Sequence, residues 1–205
     1  MAKTRDRLIA ATNELFRRRG YNGTGLKDVT TAAEATTGSL YHFFPGGKSE
    51  LARAVVAETG RAYEELFIAI ADAADGPAEG VGDFFDGAAA VLAETDYIDV
   101  CPIGTVAREV ANTDDALRAI SDQVFAGWIL ALAQRLTVAG VPEAAARALA
   151  TTVVAALEGG FILTRTGRDA EVLRTIGAQM RRLVDDAVTA AEPDKKCEAP
   201  AGESG

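Results

Sequence analysis

The sequence predicts an all-α protein, and three observations support that fold class. Apolar residues make up 48% of the 205 residues, which is enough to form a core. Alanine dominates that fraction and runs of β-branched residues are few, which favours packed helices over sheets. Apolar positions repeat at helical spacing along the chain, and no strand of convincing length is evident.

The first predicted helix spans about residues 4–19. Its apolar residues repeat seven positions apart, in the pairs Leu8–Leu15 and Ile9–Phe16. Three consecutive arginines in its last turn interact favourably with the negative, C-terminal end of the helix dipole. Gly20 then ends the helix. A second helix is predicted over about 26–33, with Thr24 or Gly25 as its cap.

A third, short helix is predicted over about 37–44, with Thr36 as its N-cap and Pro45 as its stop. Six helices follow, separated mostly by glycine and proline, at 48–74, 78–94, 103–112, 114–139, 142–166 and 169–191. Residues 192–205 are polar and contain Pro, Gly and Lys, so we expect a disordered tail there. The predicted organisation is a small domain at 1–47, a larger one at 48–191 and the tail.

Charge is distributed unevenly along the chain. The first 50 residues contain eight basic and five acidic side chains, a net charge of +3, and since the whole chain carries −9 the remainder carries −12. A basic head that meets phosphates and an acidic body that weakens non-specific DNA binding would produce this asymmetry. An ordinary mixed surface explains it equally well, so charge alone does not decide between them.

The second and third predicted helices are joined by three or four residues, which matches a helix-turn-helix. In that motif the second helix enters the major groove of DNA with its N-terminal residues on the base edges. Small residues at 36–39 let the backbone approach closely, while Leu40 and Phe44 point inward. Lys48 adds a cation beside the free N–H groups of the next helix. A helical hairpin without a DNA role is the alternative.

Two motifs here resemble the N-terminal signature of TetR-family transcriptional regulators. They are Gly-Tyr-Asn-Gly-Thr-Gly-Leu-Lys-Asp-Val from Gly20 and Gly-Ser-Leu-Tyr-His-Phe-Phe-Pro-Gly-Gly-Lys-Ser-Glu-Leu from Gly38. The resemblance implies an all-α homodimer, with an N-terminal three-helix helix-turn-helix DNA-binding domain and a larger helical domain for dimerisation and binding of a small inducer. The DNA-binding residues that we predict are Thr24, Lys27, Thr36, Thr37, Gly38, Ser39, Tyr41, His42 and Lys48.

The chain departs from the family pattern at three positions. The turn usually has a glycine where this chain has Glu34, and a left-handed backbone there would cost a glutamate about 1 kcal/mol. Thr37 replaces a frequent lysine, and Phe43 replaces a frequent histidine. The operator sequence therefore cannot be copied from relatives.

The body resembles one subgroup of the family. The run Asp-Val-Cys-Pro-Ile-Gly-Thr-Val-Ala-Arg-Glu-Val-Ala from Asp99 is similar to LmrA/YxaF-type regulators. Those proteins repress multidrug efflux or other defence genes and are released by drugs or flavonoids. This similarity implies an apolar, often aromatic effector.

Large apolar residues of the body either line an effector cavity between helices or form plain core. The candidates for the cavity are Phe67, Phe84, Phe85, Cys101, Ile103, Phe125 and Trp128. Trp128 carries an N–H that needs a partner when buried. Redox sensing by Cys101 is the lesser hypothesis, because no basic residue flanks it in the sequence.

Apolar residues also recur at a 3-4 spacing along the last two helices, and we predict a dimer interface there. These residues are Val154, Leu157, Phe161, Leu173, Ile176, Met180 and Leu183. Such a stripe faces either a partner helix or the core of its own chain, and spacing does not separate the two. The adjacent Gly159 and Gly160 favour an interface where backbones approach closely.

Other classes of protein fit less well. The one histidine, His42, lies in the predicted recognition helix, and no metal cluster, phosphate loop or nucleophile constellation is evident, so we expect neither an enzyme nor a cofactor. The N-terminal residues lack the apolar stretch of a signal peptide, and the longest dense apolar run, 125–133, is too short to span a membrane, so we expect a cytoplasmic protein. A helical ligand-binding scaffold without specific DNA binding is the alternative function. The sequence does not distinguish repression from activation.

Overall fold

The computed structural model describes residues 2–191, and these residues form nine helices and no strand. The helices are α1 (Ala2–Arg19), α2 (Leu26–Ala32), α3 (Thr37–Phe43), α4 (Gly47–Ala73), α5 (Pro77–Glu94), α6 (Pro102–Val110), α7 (Asp115–Val138), α8 (Glu143–Gly167) and α9 (Glu171–Ala191). The all-α prediction is confirmed, and each observed helix end lies within two residues of its predicted position. The predicted tail at 192–205 lies outside the described residues.

Helices α1, α2 and α3 form a small N-terminal head that packs on the start of α4. Gly20 ends α1 with a φ of 74°, a conformation that suits glycine. Phe16 of α1 and Leu40 of α3 are fully buried, and Phe44 follows them into the same core. This packing fixes the direction in which α3 presents its opposite face to solvent.

The core of the head continues without a break into the body. Leu51 and Val55 of α4, together with Val106 of α6, belong to the same buried cluster as Phe16 and Leu40. A movement of α4 or α6 therefore acts directly on the residues that hold α3. The predicted domain division between residues 47 and 48 stays a prediction.

A second core lies between α5, α7, α8 and α9. Its most extensive helix contact joins α5 to α9. That contact depends on Gly177, because a Cβ added there would lie 2.5 Å from the Cβ of Phe85. The two cores meet along α7 and α8, and this is where the cavities of the body are found.

Helices α7 and α8 are long and apolar enough to cross a membrane when judged by length and composition alone. Helices that form the core of a soluble protein pass the same test. In this structure α7 packs on α8 and on α4, and α8 packs on α9. Helix α8 also leaves Ile162 and Leu163 exposed in the single chain.

Candidate nucleic-acid interface and effector cavity

The turn between α2 and α3 sets the angle at which α3 is presented. Its backbone N–H groups at Glu34 and Ala35 donate to the carbonyls of Thr31 and Thr30, at 3.2 and 2.9 Å. Glu34 has a φ of 48°, so this residue does adopt the left-handed backbone for which the family pattern has glycine. The Arg7 guanidinium donates to the carbonyl of Glu34 at 3.3 Å and joins the turn to α1.

The first turn of α3 is capped by its own side chains. Thr36 is the N-cap as predicted, and its hydroxyl oxygen accepts a hydrogen bond from the Ser39 backbone N–H at 3.0 Å. The Thr36 and Ser39 hydroxyls also lie 2.9 Å apart and share a hydrogen bond. These two side chains therefore fix the start of the helix, so Thr37 and Gly38 remain as its free, exposed surface.

The outer face of α3 is exposed and its inner face is buried. Tyr41 is 49% exposed and His42 is also exposed, whereas Leu40 between them and the first turn is fully buried. Lys27 on α2 is exposed as well. A ligand that approaches α3 from solvent thus meets a backbone-accessible first turn followed by a phenol and an imidazole.

Thr24 and Lys48 differ from the simple surface residues that we predicted. Thr24 is only 2% exposed and donates to the carbonyl of Gly20 at 2.8 Å, so it stabilises the turn after α1 and does not face solvent. Its side chain is therefore engaged within the head, and Thr24 as a DNA contact stays a prediction. Lys48 is half-buried, and its Nζ lies 4.3 Å from the centre of the Tyr21 ring. Burial lowers the pKa of Lys48, and the nearby Glu109 carboxylate opposes that shift.

Sequence reasoning missed three polar contacts between distant parts of the chain, two that join the head to the body and one that joins α4 to α7. Arg17 of α1 pairs with Asp99 at 2.8 Å, and the Asn22 backbone N–H donates to the Glu109 carboxylate at 2.6 Å. The Ser49 hydroxyl donates to Asp114, the N-cap of α7. The partners are 65 to 87 positions apart in the chain, so local sequence patterns carry no signal for them.

A cavity of about 410 Å³ lies in the body between α4, α5, α7 and α8. Five of the seven predicted effector residues line it: Phe67, Phe84, Phe85, Cys101 and Trp128. The Trp128 indole N–H donates to the Gly60 carbonyl at 2.9 Å, which supplies the partner that a buried indole needs. Its ring is thereby held at the cavity wall.

The other two predicted effector residues have different positions. Ile103 is fully buried in the first core and lines neither of the two cavities described, so its prediction is corrected to core packing. Phe125 lines a second cavity of about 500 Å³ beside α6, α7 and α8. It packs edge-on against Trp128, with ring centres 5.4 Å apart. The two cavities share Cys101 and Glu158 as a common wall.

Four polar residues line the first cavity, of about 410 Å³, and sequence analysis singled out none of them for this role. They are Arg17, Tyr63, Asp99 and Glu158. Two of their atoms, Arg17 Nε and Glu158 Oε1, are buried and lack a hydrogen-bond partner within residues 2–191. Unpartnered buried polar atoms are uncommon because each one loses its hydration. They mark the polar end of an otherwise apolar site.

Burial dominates the protonation of these groups. It raises the pKa of Tyr63 to about 12 and that of Glu158 to about 7. It also raises the pKa of Asp99, although the charge of Arg17 opposes that shift. Cys101 is the buried N-cap of α6, and burial raises the pKa of its thiol well above the ordinary value. A buried thiol in its protonated form is unreactive, which agrees with redox sensing as the lesser hypothesis.

Most of the predicted dimer stripe faces the core of its own chain. Leu157 and Leu173 are buried in the second core, while Val154 and Phe161 line the cavities. Ile176 and Met180 are half-buried against the same core, so these six residues pack within the single chain, and the interface inferred for them stays a prediction. Leu183 is exposed in the single chain and is therefore available to contact a partner subunit.

The two adjacent glycines of α8 have opposite surroundings. A Cβ added at Gly160 would lie 2.9 Å from Leu173 of α9, so this close approach is within one chain. A Cβ added at Gly159 would meet nothing within 4 Å. Among the described residues no group of three or more His, Cys, Asp or Glu side chains is arranged to hold a metal ion.

Comparison with protein families gives a match at each end of the chain. Residues 8–55 match the family of bacterial regulatory proteins described as tetR family. Residues 77–179 match the C-terminal domain described as transcriptional regulator LmrA/YxaF-like. The chain belongs to the TetR family. Both resemblances inferred from the sequence are confirmed.

Curated relatives of this TetR-family chain extend over nearly its whole length. It is 34% identical to the HTH-type transcriptional regulator YxaF of Bacillus subtilis over 181 residues, which cover 88% of the chain and 95% of that relative. It is 30% identical to LmrA of the same organism, over 85% of the chain and 93% of the relative. These relatives are bacterial transcriptional regulators, not enzymes.

Solved TetR-family structures share the fold. A regulator from Legionella pneumophila superposes with a TM-score of 0.76 at 23% identity, over 88% of this chain and 94% of that chain. The regulator CifR, in a cysteine mutant complexed with a 26-base-pair operator, gives a TM-score of 0.74 at 22% identity, over 86% of this chain and 95% of that chain. At these identities the likeness concerns the fold alone. The chain is thus a TetR-family helix-turn-helix transcriptional regulator with an LmrA/YxaF-like C-terminal domain.

Proposed function

We propose that this regulator is a cytoplasmic repressor that binds a palindromic operator as a homodimer and leaves it when a small apolar or aromatic effector binds. The observation that carries the proposal is the presentation of α3. Its first turn is exposed at Thr37 and Gly38, while Leu40 and Phe44 anchor it from behind. This is the arrangement that a recognition helix needs in the major groove.

In this proposal each head reads one half-site of the operator. Tyr41 and His42 contact base edges or the sugar-phosphate backbone, and Lys27 and Lys48 contact phosphates. The two recognition helices of the dimer would lie about 34–36 Å apart, one turn of DNA. CifR, which has the same fold, is found on a 26-base-pair operator, and this supports a similar docking here.

The apolar cavity is the proposed effector site. Its volume of about 410 Å³ suits a drug-sized molecule, and its wall is mainly aromatic and aliphatic. Arg17 belongs to α1 of the head, yet it lines this cavity. Its ion-pair partner Asp99, which lies between α5 and α6, lines the cavity as well. An effector that displaces this pair would change how the head sits on the body, which is the coupling that induction requires.

We propose a dimer interface on the outer faces of α8 and α9, in place of most of the stripe predicted from sequence. Ile162 and Leu163 of α8 and Leu183 of α9 are exposed large apolar residues. A Cβ added at Gly159, on the same side of α8, would meet nothing within 4 Å, so this surface is uncovered in the single chain and has room for a methyl group. Exposed apolar surface of this kind is typical of interfaces between subunits.

Operator binding by matched variants tests the proposal. Fluorescence anisotropy with labelled fragments of the protein's own upstream region should detect a specific complex whose affinity falls steeply with salt. Tyr41→Ala should weaken that complex by roughly 10-fold to 100-fold, by analogy with the loss of one base-edge contact. Gln134→Ala, an exposed change on α7, is the control and should leave the affinity unchanged. A dimer of unaltered fold that forms no salt-sensitive specific complex with any fragment would favour the scaffold alternative.

A further inference from the structure

The wall shared by the two cavities carries a carboxyl group that the proposed function leaves unexplained. Glu158 lies on α8, and its Oε1 atom is buried without a hydrogen-bond partner in the described part of the chain. Burying a carboxylate without a partner is unfavourable. Most of the remaining wall of the 410 Å³ cavity is apolar, so a hydrophobic residue at this position would pack there without that penalty.

The surrounding residues leave room for this carboxyl group. Gly104, in the first turn of α6, faces it so closely that a Cβ added there would lie 2.0 Å from Glu158 Oε2. Any other residue at 104 would push the Glu158 side chain away from its present position. Because Gly104 has no side chain, Glu158 Oε2 can lie against it. The other carboxyl oxygen, Oε1, lacks a partner among the described residues and can accept a hydrogen bond from a ligand.

Aromatic rings stand among aliphatic side chains in the rest of the cavity wall. Phe67 and Phe84 pack edge-to-face with ring centres 5.6 Å apart, and Tyr63 and Trp128 form a second pair at 6.2 Å. The negative faces of such rings attract organic cations, and Trp and Tyr are the strongest of them. The Cys101 thiol is a hydrogen-bonding neighbour of the Glu158 carboxyl group, but Oε1 lacks a partner among the described residues. A site that combines aromatic rings with this free acceptor favours a ligand that is both aromatic and positively charged.

We propose that Glu158 selects an effector that is an aromatic or polycyclic amine, whose protonated N–H donates to Oε1. The inference rests on the proposed effector role of the cavity and adds the chemical class of the ligand. The second polar end of the cavity does not compete for the same group. The Asp99 carboxylate there is already paired with Arg17 at 2.8 Å, whereas Glu158 Oε1 lacks a partner among the described residues.

Several ionisable groups face Glu158 or share its cavities: Arg17, Tyr63, Asp99, Cys101, Arg108 and Arg165. The raised pKa values of Tyr63 and Cys101 keep those two groups neutral in the neutral pH range. Asp99 is paired with Arg17, and its pKa is raised by burial. Glu158, with a pKa of about 7, is the group expected to change charge between pH 6 and pH 8.

Three fluorescent probes that share a pyrene ring and differ in the polar group attached to it test the proposal: 1-pyrenemethylamine, 1-pyrenemethanol and 1-pyreneacetic acid. We expect the full-length wild-type protein to bind the amine at least tenfold more tightly than the alcohol, and the acid most weakly. Glu158→Gln should remove the preference for the amine and keep the binding of the alcohol. Glu65→Gln, which makes the same charge change at an exposed position of α4, is the control and should behave as wild type.

A pH series on the wild-type protein gives a second measurement that does not require a variant to fold. Amine affinity should rise about tenfold from pH 6 to pH 8 as Glu158 ionises, because the amine stays protonated over that range. Alcohol affinity should stay nearly constant. Equal affinities for amine and alcohol, or an amine preference that survives in Glu158→Gln, would overturn the assignment to Glu158. Failure of the wild-type protein to bind any of the three probes would reject the effector cavity itself.

Discussion

At the scale of single residues, Glu34 has a backbone conformation that its side chain disfavours. Its φ of 48° belongs to the left-handed region, in which a Cβ crowds the following carbonyl. Two backbone hydrogen bonds of the turn and the contact from Arg7 hold it there. The strain lies in the turn that orients α3. It lowers the free energy of unfolding relative to a chain with a glycine at this position.

Replacement of Glu34 by glycine should therefore stabilise the protein. We expect Glu34→Gly to raise the free energy of unfolding by about 0.5 to 1 kcal/mol, after allowance for the greater entropy of glycine in the unfolded chain. Urea denaturation measures the change. Glu34→Ala is the matched control, because it removes the carboxylate and keeps the Cβ, and it should give no such increase. Equal stabilisation by alanine would assign the effect to charge and contradict the backbone explanation.

Glu158 predicts a pH dependence of stability. Its pKa is about 7 in the folded protein and about 4.3 in an unfolded chain, so folding favours the protonated form. This contribution is fully present below the unfolded pKa and is lost as the pH rises through 7. Relative to Glu158→Gln, the wild type should lose about 2 to 3 kcal/mol of unfolding free energy between pH 5 and pH 8. Urea denaturation of both proteins at the two pH values checks this, and parallel changes would contradict the buried position of the carboxyl group.

The sequence predicted residues whose role depends on neighbours in the chain and missed those whose role depends on distant ones. Thr36 was identified as an N-cap because its partner, Ser39, is three positions away. Glu158 stands among apolar residues at ordinary helical spacing, and its position opposite Gly104 follows only from the packing of α8 on α6. The burial of Thr24 was missed because its hydrogen bond to Gly20 is formed inside the turn.

At the scale of helices, the close contact between α8 and α9 is made through Gly160. A Cβ there would lie 2.9 Å from Leu173 Cδ2 and 3.3 Å from Ile176 Cδ1. Leu173 is fully buried and has no space into which it can move. The neighbouring Gly159 faces open space in the single chain, so the two glycines form a natural pair for comparison.

Alanine at these two positions should have opposite effects on stability. Gly160→Ala should lower the free energy of unfolding by about 1 to 3 kcal/mol, because it overpacks the contact with Leu173. Gly159→Ala should raise it by up to about 1 kcal/mol, because alanine is the better helix former. Thermal and urea unfolding at one fixed protein concentration measure both. A loss of similar size at both positions would indicate that the outer face of α8 is as tightly covered as the inner one.

The boundaries of helices were predictable, but the partners of their apolar faces were not. Caps such as Thr36 and breaks such as Gly140 act within a few residues, so every helix end was placed to within two positions. A 3-4 spacing on α8 and α9 identifies an apolar face without identifying what covers it. Leu157 and Leu173 proved to face their own chain, whereas Leu163, outside the predicted stripe, is exposed.

At the scale of the whole molecule, the exposed apolar residues of α8 predict how two chains associate. Leu163 is 58% exposed, and a charge in its place would be buried without a partner in the proposed interface. Leu163→Glu should therefore raise the dimer dissociation constant by about 100-fold or more. Light scattering over a dilution series measures the change, and operator affinity should fall in parallel.

Val138→Glu is the matched control for that variant. Val138 is 90% exposed at the end of α7, which is not one of the two helices of the proposed interface. The same charge introduced there should leave the dimer intact and operator binding unchanged. Dissociation by Val138→Glu, or persistence of the dimer in Leu163→Glu, would place the interface elsewhere on the surface.

Arg17 connects the choice of promoter, which depends on the head, with the response to small molecules, which depends on the cavity of the body. It belongs to the first helix, yet its guanidinium forms part of the cavity wall and pairs with Asp99 of the body. Chimaeras that exchange the N-terminal portion for that of a relative, as in the construction of biosensors, would exchange this part of the wall too. A graft joined before α4 must therefore retain an arginine at position 17, or its response to small molecules will change together with its choice of promoter.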